Sequence, residues 1–293
     1  MIDLLPLSWI YNSESNHTQK IQIKDNLFWI TFAEINNIKE FLHEFSNSSY
    51  SFLIRGCDQE QFNDFKDILP YKFFTGSEAL LKTSYHHFEK KSLKELIKRG
   101  KKKLDFIEID FDNDFGIKLK TFLSKTRNGN KPQLKNLFRT EPDSSQRIFT
   151  AIDKNSNWQG LITLTKNSVC KYHCELLLKN KNAPQGTMEF LLKSIFDKLS
   201  QEGIRELSLG EVPFFNINSV NLHSLEKIFL FGGRTINFAY NSKGLYNFKN
   251  KFNPFWNDLY MISNKRIRLN DLYHLMRLTN LDSLIKWQLL NIY

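Results

Sequence analysis

The chain of 293 residues carries a formal charge of +10, with 41% hydrophobic and 14% aromatic residues, 26 of them Phe. This length and apolar content exclude a disordered chain and leave room for one large or two ordinary domains with real cores. No run approaches the roughly twenty apolar residues of a membrane-spanning helix, and the opening MIDLLPLSWIYNSESN lacks the basic start and apolar core of a secretory signal.

The excess of cations suits a polyanionic partner, RNA or an anionic membrane surface. A lysine-rich solvated surface produces the same balance. Cys57, Cys170 and Cys174 offer no paired framework and read as reduced, intracellular thiols. Cys170 and Cys174 would share one face of a strand and His173 the other, which argues against a metal site.

In chain order, residues 17–32 alternate as a hairpin turning at Lys24-Asp25-Asn26. Ile38, Phe41, Leu42 and Phe45 mark a helix, residues 51–54 a strand, and Phe62, Phe65 and Leu69 a second helix ended by Pro70. Residues 71–74 and 79–83 read as strands flanking a turn at Gly76. Ser92 and Glu95 form a capping-box pattern opening a short helix that ends at Gly100. That helix and its flanks carry Lys90, Lys91, Lys94, Lys98, Arg99, Lys101, Lys102 and Lys103. Such a density suits phosphates, of a tRNA arm or of lipid headgroups, as well as it suits a solvated face. Residues 106–111 alternate as the strand that closes the first half.

Phe115, Leu119, Phe122 and Leu123 mark the next helix, followed by a polar loop, RNGNKPQLKN, expected to be mobile. Three short strands, 147–152, 158–165 and 169–178, are separated by turns. A crossover follows: a polar loop with Pro184 and Gly186, a helix marked by Met188, Leu191, Leu192, Ile195, Phe196 and Leu199 with its stop at Gly203, then a strand at 206–210. Backbone N–H groups of residues 182–186, at that helix's N-terminus, offer a place for an anion. A helix around 222–229 stopped by Gly232-Gly233 and a strand at 235–240 complete the pattern. A three-strand meander, then helix, strand, helix and strand, is the topology of an acyltransferase-like α+β domain of the GNAT type, in which two central strands splay to admit the acyl donor. The Gly-rich turn that holds CoA in such proteins is reduced here to NAPQGTM, with one glycine and no arginine.

Three segments, NAPQGTMEFLL, LSLGEVPF and GLYNFKNKFNPFWNDLYMIS, resemble the C-terminal domain of the bacterial phosphatidylglycerol lysyltransferases, the multiple peptide resistance factor family. The segment SLKELIKRGKKKLDF is similar to that family's basic helix. The resemblance covers about residues 70–262 and is strongest over 175–261. It implies an α+β fold of two tandem GNAT-like domains with mixed sheets and flanking helices, here divided as residues 1–110 and 111–293. It implies transfer of an aminoacyl group from aminoacyl-tRNA to the hydroxyl of a phosphatidylglycerol-like lipid, with no CoA or other cofactor. The protein would be cytoplasmic and peripheral at the inner face of the membrane. Glu175, Glu189, Lys249, Lys251, Phe252, Pro254 and Trp256 fall on the family's pattern. Two positions depart from it: Leu178 and Leu259 stand where the family carries arginine.

Aminoacyl transfer needs an oxyanion donor, a base for the acceptor proton and cations for the tRNA end. Lys251 suits the oxyanion or a phosphate, with Lys249 as second cation; on a strand the two would share one face. Glu175 is placed to bind the donor's α-amino group or to act as base, and Glu211 is a further carboxylate near the splay. Glu189, in the first turn of the crossover helix, either binds substrate or complements the helix dipole. Asn182, Gly186, Lys94, Lys98, Arg99, Lys101 and Lys102 are the remaining candidate binding residues. His223 is better explained as structural, and His86-His87 read as a loop before the basic helix with little claim to a metal. The segment 268–293 is amphipathic, suited either to a membrane surface or to docking on the second half. Two other functions fit less well: a CoA-dependent GNAT N-acyltransferase, and a catalytically decayed module that binds tRNA or lipid.

Overall fold

A mixed eleven-stranded sheet runs through the computed structural model, which describes residues 4–12, 17–46 and 49–291. The first part of the chain supplies β1 (Ile10–Tyr11), β2 (His17–Lys24), β3 (Leu27–Ile35), α1 (Ile38–Ser46), β4 (Ser51–Cys57), α2 (Gln59–Phe65) and β5 (Tyr71–Lys82). Then come α3 (Lys91–Lys101), β6 (Asp105–Ile109), α4 (Phe115–Ser124), β7 (Arg147–Ile152), β8 (Trp158–Ser168) and β9 (Lys171–Lys179). The crossover helix is α5 (Thr187–Gln201), leading to β10 (Glu206–Pro213). The chain continues through α6 (Ser224–Thr235), a 3-10 turn (Ile236–Phe238), α7 (Ser242–Asn250), β11 (Phe255–Ser263), α8 (Leu269–Leu278) and α9 (Leu281–Leu290).

The strands lie in the order β1-β3-β4-β11-β5-β10-β9-β8-β7-β6, with β2 paired to β3. Strand β11, from late in the chain, sits between β4 and β5, and β6 hydrogen-bonds to β7 at the far edge. The expected crossover is present, since β9 and β10 run parallel with α5 between them. Helix α5 buries Met188, Leu191, Leu192, Ile195, Phe196 and Leu199 against Phe149, Ile162, Leu164 and Leu207. Its stop is the expected one: Ile204 N–H returns to the Leu199 carbonyl across Gly203, at φ +78°.

Five expectations are corrected. Gly76 makes no turn, because β11 and β10 hydrogen-bond along both edges of β5 and keep it extended. Helix α3 has no side-chain cap from Ser92; it starts two residues earlier, after Lys90, and runs past Gly100. Helix α6 continues through Gly232-Gly233 to Thr235, because Gly233 lets it lie flat against the Phe214 ring, and a 3-10 turn replaces the strand expected at 235–240. Cys170 lies in the turn before β9 rather than on the strand. The polar loop after α4 is tied down: Lys135 N–H and Asn136 Nδ2 donate to the carbonyls of Thr279 and Leu278, while Asn280 Nδ2 donates to that of Gln133. Leu134 beneath it is buried. The C-terminal helices dock, with Leu275 packed against Ile23, Trp29 and Met261, and with Asp271 paired to Lys24 at 2.6 Å.

Candidate active site

Strands β9 and β10 pair over three positions only, Lys171 with Glu206, Tyr172 with Leu207 and His173 with Ser208. Beyond them β10 shifts register by a bulge between Ser208 and Glu211 and stays with β5, whereas β9 stays with β8. A bulge re-aims the side chain that follows it, and here that residue is Glu211. The strands therefore part just past His173, and the gap opens on a cavity of about 540 Å³. Part of its lining is apolar, with Leu134, Leu137, Leu272, Leu275, Met276 and Leu281. The polar lining includes Arg55, His173, Glu175, Glu211, Tyr240 and Lys249.

Glu175 is buried and hydrogen-bonded on both carboxylate oxygens. Thr165 Oγ1 donates to its Oε1 at 2.9 Å, while Ser8 Oγ, at 3.1 Å, and the Arg139 N–H, at 2.9 Å, donate to Oε2. Burial nevertheless raises its pKa above the ordinary carboxylate value, because the three donors and the nearby Arg139 charge only partly compensate. His173 Nε2 lies 3.9 Å from Glu175 Oε2, and its Nδ1 is 3.2 Å from Ser208 Oγ. Burial, aided by the cations Lys171, Lys249 and Arg55, pushes His173 down to about 3, so the ring is neutral.

Lys249 Nζ donates to the Glu211 carbonyl at 2.9 Å. Its ammonium is buried, and burial lowers its pKa to about 8. The Glu211 carboxylate is held by Arg55 through Oε2, while its buried Oε1 has no hydrogen-bond partner among the described residues. Such an orphaned acceptor beside a cavity is a place for a donor from a ligand. Behind this group, Lys171 and Glu78 form a buried ion pair at 2.9 Å.

The fold thus brings together Glu175, Glu211 and Lys249 and sends Lys251 elsewhere. Residues 249–251 form the end of α7 and its cap, not a strand, so the two lysines do not share a face. Lys251 Nζ pairs at 3.0 Å with Glu189 Oε1, outside the residues that line the cavity. Asn182 is exposed in the loop before α5, also away from the cavity.

The expected anion cradle at Gly186 is closed, and the reason is the basic helix. Gly186, at φ +90°, lies against α3 so tightly that an added Cβ would stand 1.9 Å from the Leu96 carbonyl oxygen. A Cβ on Gly100 would likewise meet the Gly186 carbonyl at 2.6 Å. Helix α3 therefore occupies the space in front of the α5 N-terminus. Its own outer face exposes Lys94, Lys98, Arg99, Lys101 and Lys102. Lys94 pairs with Glu89, and Arg99 donates to the Gln185 side chain, while Lys98, Lys101 and Lys102 take part in no ion pair among the described residues.

Sequence reading missed Arg55, Ser8, Thr165, Arg139 and the placement of His173. No motif marks them; Thr165 and His173 are register partners across β8 and β9, and Ser8 arrives because the N-terminal segment crosses to β8, where Asn167 Nδ2 donates to the carbonyls of Pro6 and Trp9. Of the two departures from the family pattern, Leu178 lines the cavity and Leu259 is buried at 1% exposure in β11. His223 caps α6, its N–H donating to Glu226, and His87 is locked by Asn253 O and the Lys82 N–H; both are structural.

The family model for the C-terminal part of phosphatidylglycerol lysyltransferase matches residues 35–263. No curated protein sequence matches the chain. Among solved structures, L-PGS from Bacillus licheniformis is similar with a TM-score of 0.70 and 18% identity, over 92% of this chain and 88% of that one. A C-terminal domain assigned to a lysylphosphatidylglycerol synthetase of Agrobacterium fabrum gives a TM-score of 0.67 and 19% identity, over 93% and 88%. A conserved protein of unknown function from Bacteroides thetaiotaomicron gives 0.52 and 11%, over 85% and 82%. No helix among the described residues is long and apolar enough to cross a membrane. With most of its length matched by that family model, the chain belongs to the phosphatidylglycerol lysyltransferase C-terminal family.

Proposed function

We propose that the cavity between β9 and β10 transfers an aminoacyl group from aminoacyl-tRNA to the hydroxyl of a phosphatidylglycerol-like lipid. The observation that carries this reading is the meeting, at the splay, of Glu175, Glu211 and Lys249 with apolar lining in the same cavity. In the reaction the lipid hydroxyl oxygen attacks the ester carbonyl, and the bond to the ribose oxygen of the tRNA breaks. The proton lost by the lipid hydroxyl ends on that ribose oxygen. Lys249, as a buried ammonium, stabilises the oxyanion formed on the carbonyl. Glu175 receives the α-ammonium of the aminoacyl group, whose charge draws the carboxyl into its ionised form. Arg55 fixes Glu211 at the cavity wall.

The exposed cations of α3 take the phosphates of the tRNA acceptor end. Because α3 also covers the α5 N-terminus, a CoA pyrophosphate has no cradle there, which favours a tRNA-borne donor over a thioester. We read residues 1–110 and 111–293 as two tandem GNAT-like units sharing one sheet, β11 completing the first and β6 edging the second. The test is to incubate the protein with radiolabelled aminoacyl-tRNAs and phosphatidylglycerol vesicles, then extract the lipids. Label in the lipid phase, lost in Lys249→Met, is the expected result; an unlabelled lipid phase with every donor would sink the reading.

A further inference from the structure

Helix α6 presents two different faces. Inward, Phe229 lines the cavity, Leu230 is buried, and Glu226 is spent on the N–H groups of Phe74 and His223. Outward, Ile228 is 59% and Phe231 72% exposed, one helical turn apart, and Phe238 on the 3-10 turn is 43% exposed. Exposed beside them are Lys227 and Arg234, with Lys243 following at the start of α7. Between residues 212 and 256 the chain has one carboxylate, Glu226, and that one is buried. The outer surface of this segment is therefore apolar and cationic, with no exposed negative charge of its own.

We propose that this outer face of α6 and the 3-10 turn docks the protein on an anionic bilayer. Apolar side chains enter the headgroup boundary while lysine and arginine stay with the phosphates, the division of labour of an interfacial helix. Charge complementarity selects the occupant. A protein partner of ordinary mixed charge has no need of a face without acids, whereas an anionic membrane is repelled by every exposed carboxylate. The face is also placed for its task, since Phe229, Tyr240 and Leu245 of the same α6–α7 unit form a wall of the cavity. The inference rests on the reading of that cavity as a lipid-modifying site. It differs from the amphipathic C-terminal segment as a membrane contact, because α8 turns Leu275 inward against β2 and β3.

The experiment is co-sedimentation of the full chain with vesicles of phosphatidylcholine alone or with phosphatidylglycerol added, with no tRNA present. Binding to the mixed vesicles only is expected, weakening with salt. Two double variants, Ile228→Ser with Phe231→Ser and Lys227→Glu with Arg234→Glu, should each weaken it roughly tenfold or more. Thermal melts establish that both variants fold. Failure of the wild type to bind mixed vesicles, or unchanged binding of both variants, overturns the proposal. It is equally overturned if the apolar variant alters only a monomer–dimer equilibrium in size exclusion, or if Leu289→Ser with Leu290→Ser abolishes binding instead. Docking without any labelled lipid in the transfer assay would retain this face and discard the transferase reading.

Discussion

Lys249 Nζ donates to the main-chain carbonyl of Glu211 at 2.9 Å, so the ammonium is tied to the strand that turns away at the splay. An ammonium so enclosed is a cost to folding, and burial drives its pKa down to about 8. The unfolded chain, with a lysine of ordinary pKa, holds the proton longer as pH rises. Stability therefore rises between about pH 8 and the normal lysine range, and below that window the full penalty applies. Lys249→Met should remove the penalty while leaving the Glu211 carbonyl unpaired. At neutral pH it should be neutral to stabilising by up to about 2 kcal/mol. Transfer should drop about 10²–10³-fold, and wild-type activity should decline as pH climbs through about 8. Urea unfolding and the lipid-labelling assay read the two effects separately; loss of stability together with activity would assign Lys249 a structural role.

Glu175 has the opposite sign. Burial raises its folded-state pKa, so between the ordinary carboxylate value and that raised value the folded state holds the extra proton. The contribution of Glu175 to stability therefore falls as pH rises through that window. Glu175→Gln keeps the shape and can still accept from Thr165 Oγ1. Relative to wild type it should lose less stability from acid to neutral pH. If Glu175 holds the donor's α-ammonium, the variant should raise KM for aminoacyl-tRNA, with a loss in kcat/KM of about 10–100-fold. An unchanged KM would remove that role.

The cations of α3 predict a different signature. Lys98→Glu with Lys101→Glu and Lys102→Glu should weaken tRNA binding at least tenfold and flatten its salt dependence, the log–log slope falling by about one for each phosphate no longer neutralised. Filter binding over a salt series measures both. Because these side chains are exposed and unpaired among the described residues, the melting temperature should move little. Unaltered affinity would make α3 a spacer that fills the α5 N-terminus and nothing more.

Much of the second half was legible because its signals are local. Residues 147–152 alternate between turns and became β7 with those bounds, and the period of Met188 to Leu199 marked α5. The family resemblance pointed to Glu175 and Lys249, and the position after the strand at 206–210 to Glu211, three residues that line one cavity. The strand reading of FKNKF failed, because the segment alternates like a strand while Asn241, accepting from the Gly244 N–H, starts a helix upstream. Sequence pattern could not find Ser8, which reaches Glu175 across 167 residues. Nor could it anticipate that a glycine in the expected anion loop serves a helix–helix contact, since Gly100 lies far from Gly186 in the chain. Local pattern carries the elements; the long-range crossings that complete the polar lining of the cavity leave no local trace.

The buried pair behind the site gives the sharpest stability test. Lys171 Nζ lies 2.9 Å from Glu78 Oε1, and their side chains are 6% and 2% exposed. Burial pushes the Glu78 carboxyl up, but the attraction and hydrogen bond of Lys171 outweigh it and hold the pKa below the usual value. The stabilising contribution of Glu78 is then present above the ordinary carboxylate pKa and is lost as pH falls through the depressed one. Lys171→Met alone or Glu78→Leu alone should each cost about 3–5 kcal/mol, because each leaves a buried charge without its partner. The double variant Lys171→Met with Glu78→Leu should recover most of that loss, since an apolar pair of similar volume has no desolvation penalty to offset. Because β5 and β9 lie on either side of β10, the pair also ties β9 to β5 across the strand that leaves it at the splay. Single variants should therefore lower transfer activity more than the double variant does, and a double-variant cycle in urea unfolding and lipid labelling reads both; additive losses in the two assays would show that the ion pair is not a coupled unit.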